Sequence, residues 1–277
     1  MKNLLLATLL CVSTIAKSQL SEIAINLLRS PEKLTELNLS GQNLDSLPEA
    51  LFQCKNLVWL DLSNNKLTNL PSNIKSLTNL KYLNLSGNNL TKLPLEFAYL
   101  TQLNILDLSY NPKLDVEFDF SLLVKLPKLR ELNLEGDNIT QLPATVVYLK
   151  NLQVLNLSKN PLASLPDELG KLNNLEKIYL NEDKNLDIRQ AIKVLQLNTN
   201  LRELHLEKDD LKILPSELTE LKKLEYLYIN NNQLQSIPED MLKAPSLIYI
   251  DAKDNPIRIW DLEHLNQQFV PRVKLRF

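Results

Sequence analysis

The chain has 277 residues, of which 31 are basic and 33 acidic, for a formal net charge of −2. This balance, without a basic block, does not support a nucleic-acid-binding surface. Only 4 glycines are present, which leaves little material for Gly-rich phosphate loops.

Residues 1–18 have the pattern of a secretory signal peptide. Lys2 precedes an apolar stretch from Leu4 to Ala16, and the small residues Ala16 and Ser18 have the usual cleavage spacing. The stretch is shorter than the roughly 20 residues of a transmembrane helix. We therefore expect cleavage before Gln19; the alternative is a buried N-terminal helix.

Residues 19–33 are predicted to form an N-terminal cap. Residues 20–29 have the spacing of an amphipathic helix, with Ser21 as N-cap and with Ile23, Leu27 and Leu28 on its apolar side. Such a helix would cover the apolar face that the first unit of a repeat protein otherwise exposes to water.

Residues 34–260 contain ten copies of one pattern, L-x-x-L-x-L-x-x-N-x-L, at intervals of 23 or 26 residues. A fixed period of this length indicates a solenoid, in which each repeat buries its apolar face against its neighbours. The copies begin at Leu34, Leu57, Leu80, Leu103, Leu129, Leu152, Leu175, Leu201, Leu224 and Leu247.

Each repeat is predicted to begin with a short strand and to close it with an asparagine. Leu60 and Leu62 alternate with polar or aromatic residues, the pattern of a half-buried strand. The amide of Asn65 can donate and accept at once, which suits the unpaired backbone groups of a turn. The asparagine ladder comprises Asn65, Asn88, Asn111, Asn160, Asn232 and Asn255, whereas Gln42, Asp137, Asp183 and Asp209 occupy the other slots.

A Leu-Pro or Ile-Pro step follows in seven repeats, as at Leu70-Pro71, and predicts a short helical turn with proline at its first position. The repeats that begin at Leu103 and Leu175 are three residues longer and lack this step, so we expect a longer helix there. Cys54 occupies a slot that leucine fills elsewhere, and we expect it to be buried as a small apolar residue.

Residues 261–277 are predicted to form the C-terminal cap. A helix over 261–269 is expected first. Val270, Val273 and Leu275 then fit the first, fourth and sixth positions of an eleventh strand, 23 residues after the tenth.

The repeats resemble the 23-residue typical class of the leucine-rich repeat family, over about residues 24–277. The segment from Leu70-Pro71 through Ile74 to Leu77 carries the likeness, and the opening and the ending are similar to those of bacterial secreted members. The resemblance implies an α/β solenoid: a horseshoe with a concave parallel sheet of about ten to eleven short strands and short helical turns on the convex side. It also implies that the concave face binds protein ligands.

Two groups of residues on the expected concave face depart from the ordinary polar pattern. The first is apolar and comes from three adjacent repeats; the second is more polar. Aromatic anchors of this kind dominate interface energetics, although aromatics also suit the surface of a sheet. The first group is Val58, Trp59, Tyr82 and Ile105, and the second is Tyr179, His205, Tyr226, Tyr228, Ile248 and Tyr249.

Several charged residues lie between these two groups on the expected concave face. They could steer a charged partner, but cross-strand pairing is the favoured interpretation. His205 could be a pH-sensitive contact, although its position favours a solvated strand residue. The charged residues are Arg130, Glu131, Lys177, Arg202 and Glu203.

The sequence contains no pattern that predicts catalysis. His205 and His264 are the only histidines, and neither has a nucleophile motif nearby. No zinc-ligand cluster, P-loop or dinucleotide fingerprint appears. We therefore predict that the protein is not an enzyme and needs no cofactor or metal.

The favoured function is a secreted, periplasmic or surface-exposed binding module that acts as a monomer, with a protein or peptide ligand on its concave face, without nucleic acid and without a transmembrane span. A bacterial source fits best, because the sequons at Asn38, Asn84 and Asn156 would otherwise place glycans on that face. One alternative is an intracellular scaffold similar to those of small-GTPase signalling, which requires residues 1–18 to be retained. Another is a purely structural envelope protein.

Overall fold

The computed structural model describes residues 29–258, 263–264, 267–269 and 272–277. The predicted signal peptide (1–18) and residues 20–28 of the predicted capping helix lie outside the described residues. Of the N-terminal cap, residues 29–33 are described, and Pro31–Lys33 forms a 3₁₀ turn. Of the predicted helix over 261–269, residues 263–264 and 267–269 are described, and they are helical.

Each repeat forms a strand at its third to fifth positions. The middle residue of the strand points into the core: Leu60 is 0% exposed, while Trp59 and Asp61 on either side are half-buried. Burying one such leucine stabilises the fold by roughly 1.5–3 kcal/mol. The strands are β1 (Glu36–Asn38), β2 (Trp59–Asp61), β3 (Tyr82–Asn84), β4 (Ile105–Asp107), β5 (Glu131–Asn133), β6 (Val154–Asn156), β7 (Lys177–Tyr179), β8 (Glu203–His205), β9 (Tyr226–Tyr228), β10 (Tyr249–Asp251) and, after the last repeat, β11 (Lys274–Arg276).

The chain divides into two units, of which the first ends at Leu129 and the second begins at Arg130. In unit 1, strands β1 to β4 pair in parallel and in chain order, so that equal repeat positions face each other. In unit 2, strands β5 to β11 pair in the same way. The predicted α/β solenoid of parallel strands is therefore confirmed, with eleven strands among the described residues.

The seven Leu-Pro or Ile-Pro steps are each followed by a 3₁₀ turn, but the predicted position of the proline is wrong by one residue. Pro71 has an extended backbone (φ −74°, ψ 155°) and precedes the turn Ser72–Ser76. Its carbonyl accepts the first hydrogen bond of the turn, from the Ile74 N–H at 3.1 Å. The other turns are Glu49–Gln53, Leu95–Tyr99, Ala144–Tyr148, Asp167–Lys171, Ser216–Glu220 and Glu239–Lys243.

The two longer repeats contain α-helices in place of the turn, as predicted. These are α1 (Val116–Leu123) and α2 (Ile188–Leu195). The three extra residues of each repeat give room for two full helical turns. In α2 these turns bury Ile188, Ala191 and Leu195 against the core. Asp187 caps α2 by accepting a hydrogen bond from the Gln190 N–H at 3.0 Å.

The eleventh strand is present, but its predicted register is wrong by two residues. Leu275 lies opposite Ile250, the fourth position of the tenth repeat, and not at the sixth position. Val273, which we expected at the fourth position, is buried directly before the strand. Its N–H bonds to the Phe269 carbonyl at 2.8 Å, so the backbone turns there before the strand begins.

Cys54 is 0% exposed, as its slot in the repeat predicts. Burial raises the pKa of its thiol, which disfavours the reactive thiolate. Among the described residues, no helix combines the length and the apolar character that crossing a bilayer requires.

Candidate functional site

The asparagines of the ladder join backbone groups of successive repeats. The Asn88 side-chain oxygen accepts from the Leu67 N–H at 3.0 Å, and its nitrogen donates to the carbonyls of Leu62 at 3.0 Å and Leu85 at 2.9 Å. One side chain thus pairs three backbone groups that the turn leaves open. Asn65, Asn111, Asn160, Asn232 and Asn255 make the same bonds.

Aspartates in the ladder make a different bond, to the N–H of the ladder residue in the preceding repeat. Asp183 Oδ1 accepts from the Asn160 N–H at 2.7 Å, and Asp209 Oδ1 accepts from the Asp183 N–H at 2.9 Å. The Oδ2 atoms of both are buried without a hydrogen-bond partner. Burial raises the pKa of Asp183 to about 8 and that of Asp209 to about 7. Both carboxyls therefore hold a proton in much of the acidic to neutral range.

Asp119 in α1 is a third buried acid, which the repeat pattern does not reveal. Its Oδ1 accepts a hydrogen bond from the N–H of Leu93 at 2.8 Å, and Leu93 directly precedes Pro94. Burial raises its pKa to about 7. The only signal in the sequence is an acid within the apolar run of the longer repeat.

The solvent face of the strands in unit 1 carries the first predicted group, which we call the Trp59 surface: Val58, Trp59, Tyr82 and Ile105. Strand pairing aligns Trp59 with Tyr82, and Tyr82 with Ile105. The Trp59 and Tyr82 rings stack with centroids 5.2 Å apart and planes 8° from parallel. All four side chains are half-buried, so the stack is partly covered by its neighbours and partly in water.

Carboxylates surround this stack. Burial raises the pKa of the Tyr82 phenol, and the negative charges of Asp61 and Asp107 raise it further. Asp61 is held in place through Oδ1, which accepts from the Ser63 N–H at 2.8 Å. Both carboxylates therefore act electrostatically on the Tyr82 ring.

The rings of the second predicted group lie together on the solvent face of β7 to β10 in unit 2, and we call them the Tyr179 surface: Tyr179, His205, Tyr226, Tyr228 and Tyr249. The remaining member, Ile248, lies directly before β10 and is 45% exposed. The His205 ring stacks between Tyr179 and Tyr228, with centroid distances of 4.1 and 4.2 Å. Tyr249 extends the row, tilted against Tyr228 at 5.7 Å and against Tyr226 at 6.3 Å.

The interpretation of His205 as a solvated strand residue is wrong. It is only 8% exposed, because the two flanking rings cover it. Its Nε2 lies 2.8 Å from Glu203 Oε1, and its Nδ1 lies 3.0 Å from Glu207 Oε2. The signal was present in the sequence: the two-residue alternation places Glu203, His205 and Glu207 on one face of the chain.

The two glutamates are tuned by these contacts. The hydrogen bond from His205 is the largest cause of the lowered pKa of Glu207. Burial opposes ionisation of Glu203, but hydrogen bonds from Lys177 and His205 outweigh it and lower its pKa. Lys177 also lies 5.8 Å from the centre of the Tyr179 ring.

Several of the charged residues pair across strands, in line with the favoured interpretation. Lys177 bonds to Glu203 at 2.9 Å, and Arg202 bonds to Glu225 at 2.9 Å. Arg130 and Glu131 are exposed. Within the part of the chain that the structure describes, no three His, Cys, Asp or Glu side chains are grouped to hold a metal ion.

Comparison with protein families gives matches over most of the chain. The model described as "Leucine rich repeat" matches residues 32–90, 127–184 and 199–257, and the model described as "Leucine Rich repeats (2 copies)" matches residues 78–119. A search of curated proteins finds no match.

Solved structures of similar fold come from several kinds of protein. An internalin (inlF) from Listeria monocytogenes is 18% identical with a TM-score of 0.58, over 95% of this chain and 87% of that one. The TLR13–ssRNA13 complex is 21% identical with a TM-score of 0.50, over 88% of this chain and 49% of that one. At these identities the likeness concerns the fold alone.

A third structure has higher identity over a smaller share of its length. It is the repeat ectodomain of the plant membrane receptor kinase GASSHO1/SCHENGEN3 from Arabidopsis thaliana, in complex with CASPARIAN STRIP INTEGRITY FACTOR 2. It is 30% identical with a TM-score of 0.54, over 81% of this chain and 27% of that one.

Proposed function

Because this chain belongs to the leucine-rich repeat family, we propose that it is a non-catalytic binding module that holds a protein or peptide partner on the solvent face of its strands. The observation that carries the proposal is the collection of aromatic side chains on that face. Five rings lie together on the Tyr179 surface, and a stacked pair lies on the Trp59 surface. Family membership alone leaves the function open, because one fold hosts many.

Rigidity supports this use of the two surfaces. Aromatic rings supply a large contact area at a low cost in side-chain entropy, and stacking with their neighbours already orders these rings. Tyr228 and Tyr249 also present hydroxyl groups beside an apolar body, which suits an interface that is partly wet. A partner would therefore meet surfaces that need little rearrangement.

A polypeptide is the proposed class of partner. The plant receptor ectodomain, solved in complex with CASPARIAN STRIP INTEGRITY FACTOR 2, supports this choice. Although the similar TLR13 structure is a complex with ssRNA13, Asp61 and Asp107 on the Trp59 surface would repel phosphates. The protein is proposed to act as a monomer, without a cofactor.

The proposal places the protein outside the cytoplasm, in the periplasm, at the cell surface or secreted. The pattern of residues 1–18 supports removal of a signal peptide, and residues 19–33 and 261–277 are proposed as the caps that flank the ten repeats. N-terminal sequencing of protein recovered from native cells should begin at Gln19. A chain that retains residues 1–18 would favour the intracellular scaffold.

Partner capture tests the binding proposal. The wild type is compared with a Trp59→Ala/Tyr82→Ala variant and with a Tyr226→Ala/Tyr249→Ala variant in envelope and host-cell extracts. Tyr148→Ala is the matched control, because Tyr148 is 60% exposed on a 3₁₀ turn and belongs to neither surface. A partner retained by the wild type and the control but lost by one double variant supports the proposal. Equal retention by all four proteins would contradict it, and the absence of any partner would favour the structural alternative.

A further inference from the structure

The Trp59 surface differs from the Tyr179 surface in charge, and this difference bears on the chemistry of the partner. We propose that the Trp59 surface binds a cationic side chain of the partner, an arginine in the first place, against the Trp59 ring. The inference rests on the proposed function and narrows it to one kind of partner side chain at one surface.

The two faces of the Trp59 ring have different neighbours. Tyr82 on β3 covers one face, with the rings stacked at 5.2 Å. On the other side, the residue of β1 aligned with Trp59 is Glu36, whose side chain is exposed. Equal positions of neighbouring strands lie only about 4.8 Å apart, so a cation reaches this indole face where the exposed Glu36 side chain turns aside. There it contacts the indole and the Glu36 carboxylate together, which combines a cation–π contact with an ion pair.

The charges of the surrounding strands have the matching sign. Glu36, Asp61 and Asp107 lie on β1, β2 and β4, on the same face as the stack. The Asp61 oxygen that bonds within the chain accepts from a neutral N–H, that of Ser63, so the negative charge stays in place. Lys81, directly before β3, is the one basic residue next to the stack in the sequence. Glu36 and Asp61 thus place two carboxylates on the face that carries the Trp59 ring.

On the Tyr179 surface, two of the carboxylates bond to cationic groups of the chain itself. Glu203 pairs with Lys177 at 2.9 Å, and Asp251 pairs with Arg276 at 3.2 Å. Both faces of the His205 ring are covered as well, by Tyr179 and Tyr228. The Trp59 surface is therefore the better binding site for a cationic side chain of a partner.

Arginine fits this arrangement better than lysine. The planar guanidinium can stack on the indole and still present N–H groups in its plane to a carboxylate. Lysine offers only a compact point charge, which the same carboxylates would attract with less geometric selectivity. We expect a ranking of arginine over lysine over the uncharged isostere citrulline.

The test uses the full chain and three synthetic probes: a fluorescent Gly-Ser peptide with two arginines, and its lysine and citrulline counterparts. Binding is measured by fluorescence anisotropy at low salt. The wild type should bind the arginine peptide at least about 10-fold more tightly than the citrulline peptide, and the difference should shrink at high salt.

A charge-removing variant tests the assignment without disturbing the fold. Asp61→Asn places at this position the residue that Asn38 and Asn84 already provide in neighbouring repeats, and it keeps the bond to Ser63. Combined with Glu36→Gln, it should abolish the preference for arginine over citrulline. Asp45→Asn, which removes one exposed charge from the same unit, is the control and should keep that preference.

The outcomes separate this inference from the function on which it rests. Equal binding of the arginine and citrulline peptides, or an unchanged preference in Glu36→Gln/Asp61→Asn, overturns the cation assignment. So does the absence of binding of every probe to the wild type. Partner capture that still depends on Trp59 and Tyr82 would then leave the binding function standing. If both double variants still capture the partner, that result would instead contradict the proposed binding function.

Discussion

At the scale of single residues, the exchange of asparagine for aspartate in the ladder changes the protonation of the core. Asn160 donates from its amide nitrogen to the carbonyls of Leu134 and Leu157. An ionised aspartate has no donor for that position, which accounts for the unpartnered Oδ2 atoms of Asp183 and Asp209. A protonated carboxyl can donate its hydrogen, so burial and the missing donor both favour the neutral acid.

We predict that Asp183→Asn stabilises the protein at high pH. The pKa of Asp183 rises from an ordinary value of 3.8 to about 8 in the fold. The folded state therefore binds more protons than the unfolded state between these values, and the free energy of unfolding must fall as the pH rises through this window. Asparagine removes this penalty, on the order of 1–3 kcal/mol at pH 9.

Urea unfolding at pH 5 and pH 9 checks this prediction. The wild type should lose more stability between the two pH values than Asp183→Asn does. Asp45→Asn, an exposed aspartate outside the ladder, serves as the control and should follow the wild type. If Asp183→Asn and the wild type show the same loss, Asp183 does not carry a proton in the fold.

At the scale of elements, β8 shows how a three-residue strand can organise a surface. Its two outward residues, Glu203 and His205, bond to each other, and Glu207 after the strand completes the group. The neighbouring strands supply the rings that cover the histidine and the lysine that bonds to Glu203. The Tyr179 surface thus depends on pairing between strands, since no single repeat contains all its contacts.

We predict that His205→Phe destabilises the protein by about 1–2 kcal/mol, an amount kept small because Glu203 and Glu207 are partly in water. Phenylalanine keeps a ring between Tyr179 and Tyr228 but removes the hydrogen bonds that lower both glutamate pKa values. A carboxyl whose pKa is lower in the folded than in the unfolded state stabilises the fold at pH values above its unfolded pKa of 4.5. This contribution is lost as the pH falls through the folded pKa. The difference between variant and wild type should therefore shrink from pH 6 to pH 3.

Chemical unfolding at the two pH values measures this difference. His264→Phe is the matched control, since His264 also bonds to a glutamate, Glu239, but is 54% exposed. It should change stability by less than His205→Phe does. If the difference in unfolding free energy between His205→Phe and the wild type stays constant from pH 6 to pH 3, the loss of stability comes from the ring packing and not from the carboxylates.

The longer helix α2 allows a second prediction at this scale. Asp187→Ala removes the N-cap bond to Gln190 and should cost about 1 kcal/mol. The urea midpoint measures the loss. Asp187→Asn keeps an accepting oxygen and should retain most of the stability, whereas equal losses for both variants would argue against capping.

At the scale of the whole molecule, stability in a repeat protein is approximately a sum of repeat and neighbour-interface contributions. The buried leucines at equivalent positions, such as Leu60, Leu83 and Leu106 in unit 1, carry these interfaces. A cavity in the middle of a unit should therefore weaken the repeats on both sides of it.

We predict that Leu83→Ala lowers the free energy of unfolding by about 2–5 kcal/mol and speeds the labelling of Cys54 by a thiol reagent. Cys54 belongs to the first repeat of the same unit and is 0% exposed, so its labelling reports the opening of that unit. Thr68→Ala is the control, because Thr68 is exposed and lies between β2 and β3 in the sequence. Unchanged labelling of Cys54 in Leu83→Ala would show that the repeats open independently of each other.

Much of this architecture follows from the sequence because it is periodic. The 23-residue interval predicts where strands begin, which leucines are buried and which asparagines close the turns, and three extra residues predict α1 and α2. These features depend on contacts that recur identically in every repeat, so one repeat explains the others. The residues of the Trp59 and Tyr179 surfaces follow from the same rule, since equal positions of neighbouring repeats lie side by side.

What the period does not contain, only the tertiary structure decided. The period places Tyr179, His205 and Tyr228 side by side, but only the fold shows that their rings stack closely enough to bury His205. The proton on Asp183 depends on an amide that is missing from one slot. The register of β11 depends on how the backbone turns at Phe269, beyond the last regular repeat. The contacts of His205 and Asp183 with neighbouring repeats join residues 23 or 26 apart in the sequence, whereas the turn before β11 joins Val273 to Phe269, after the last regular repeat.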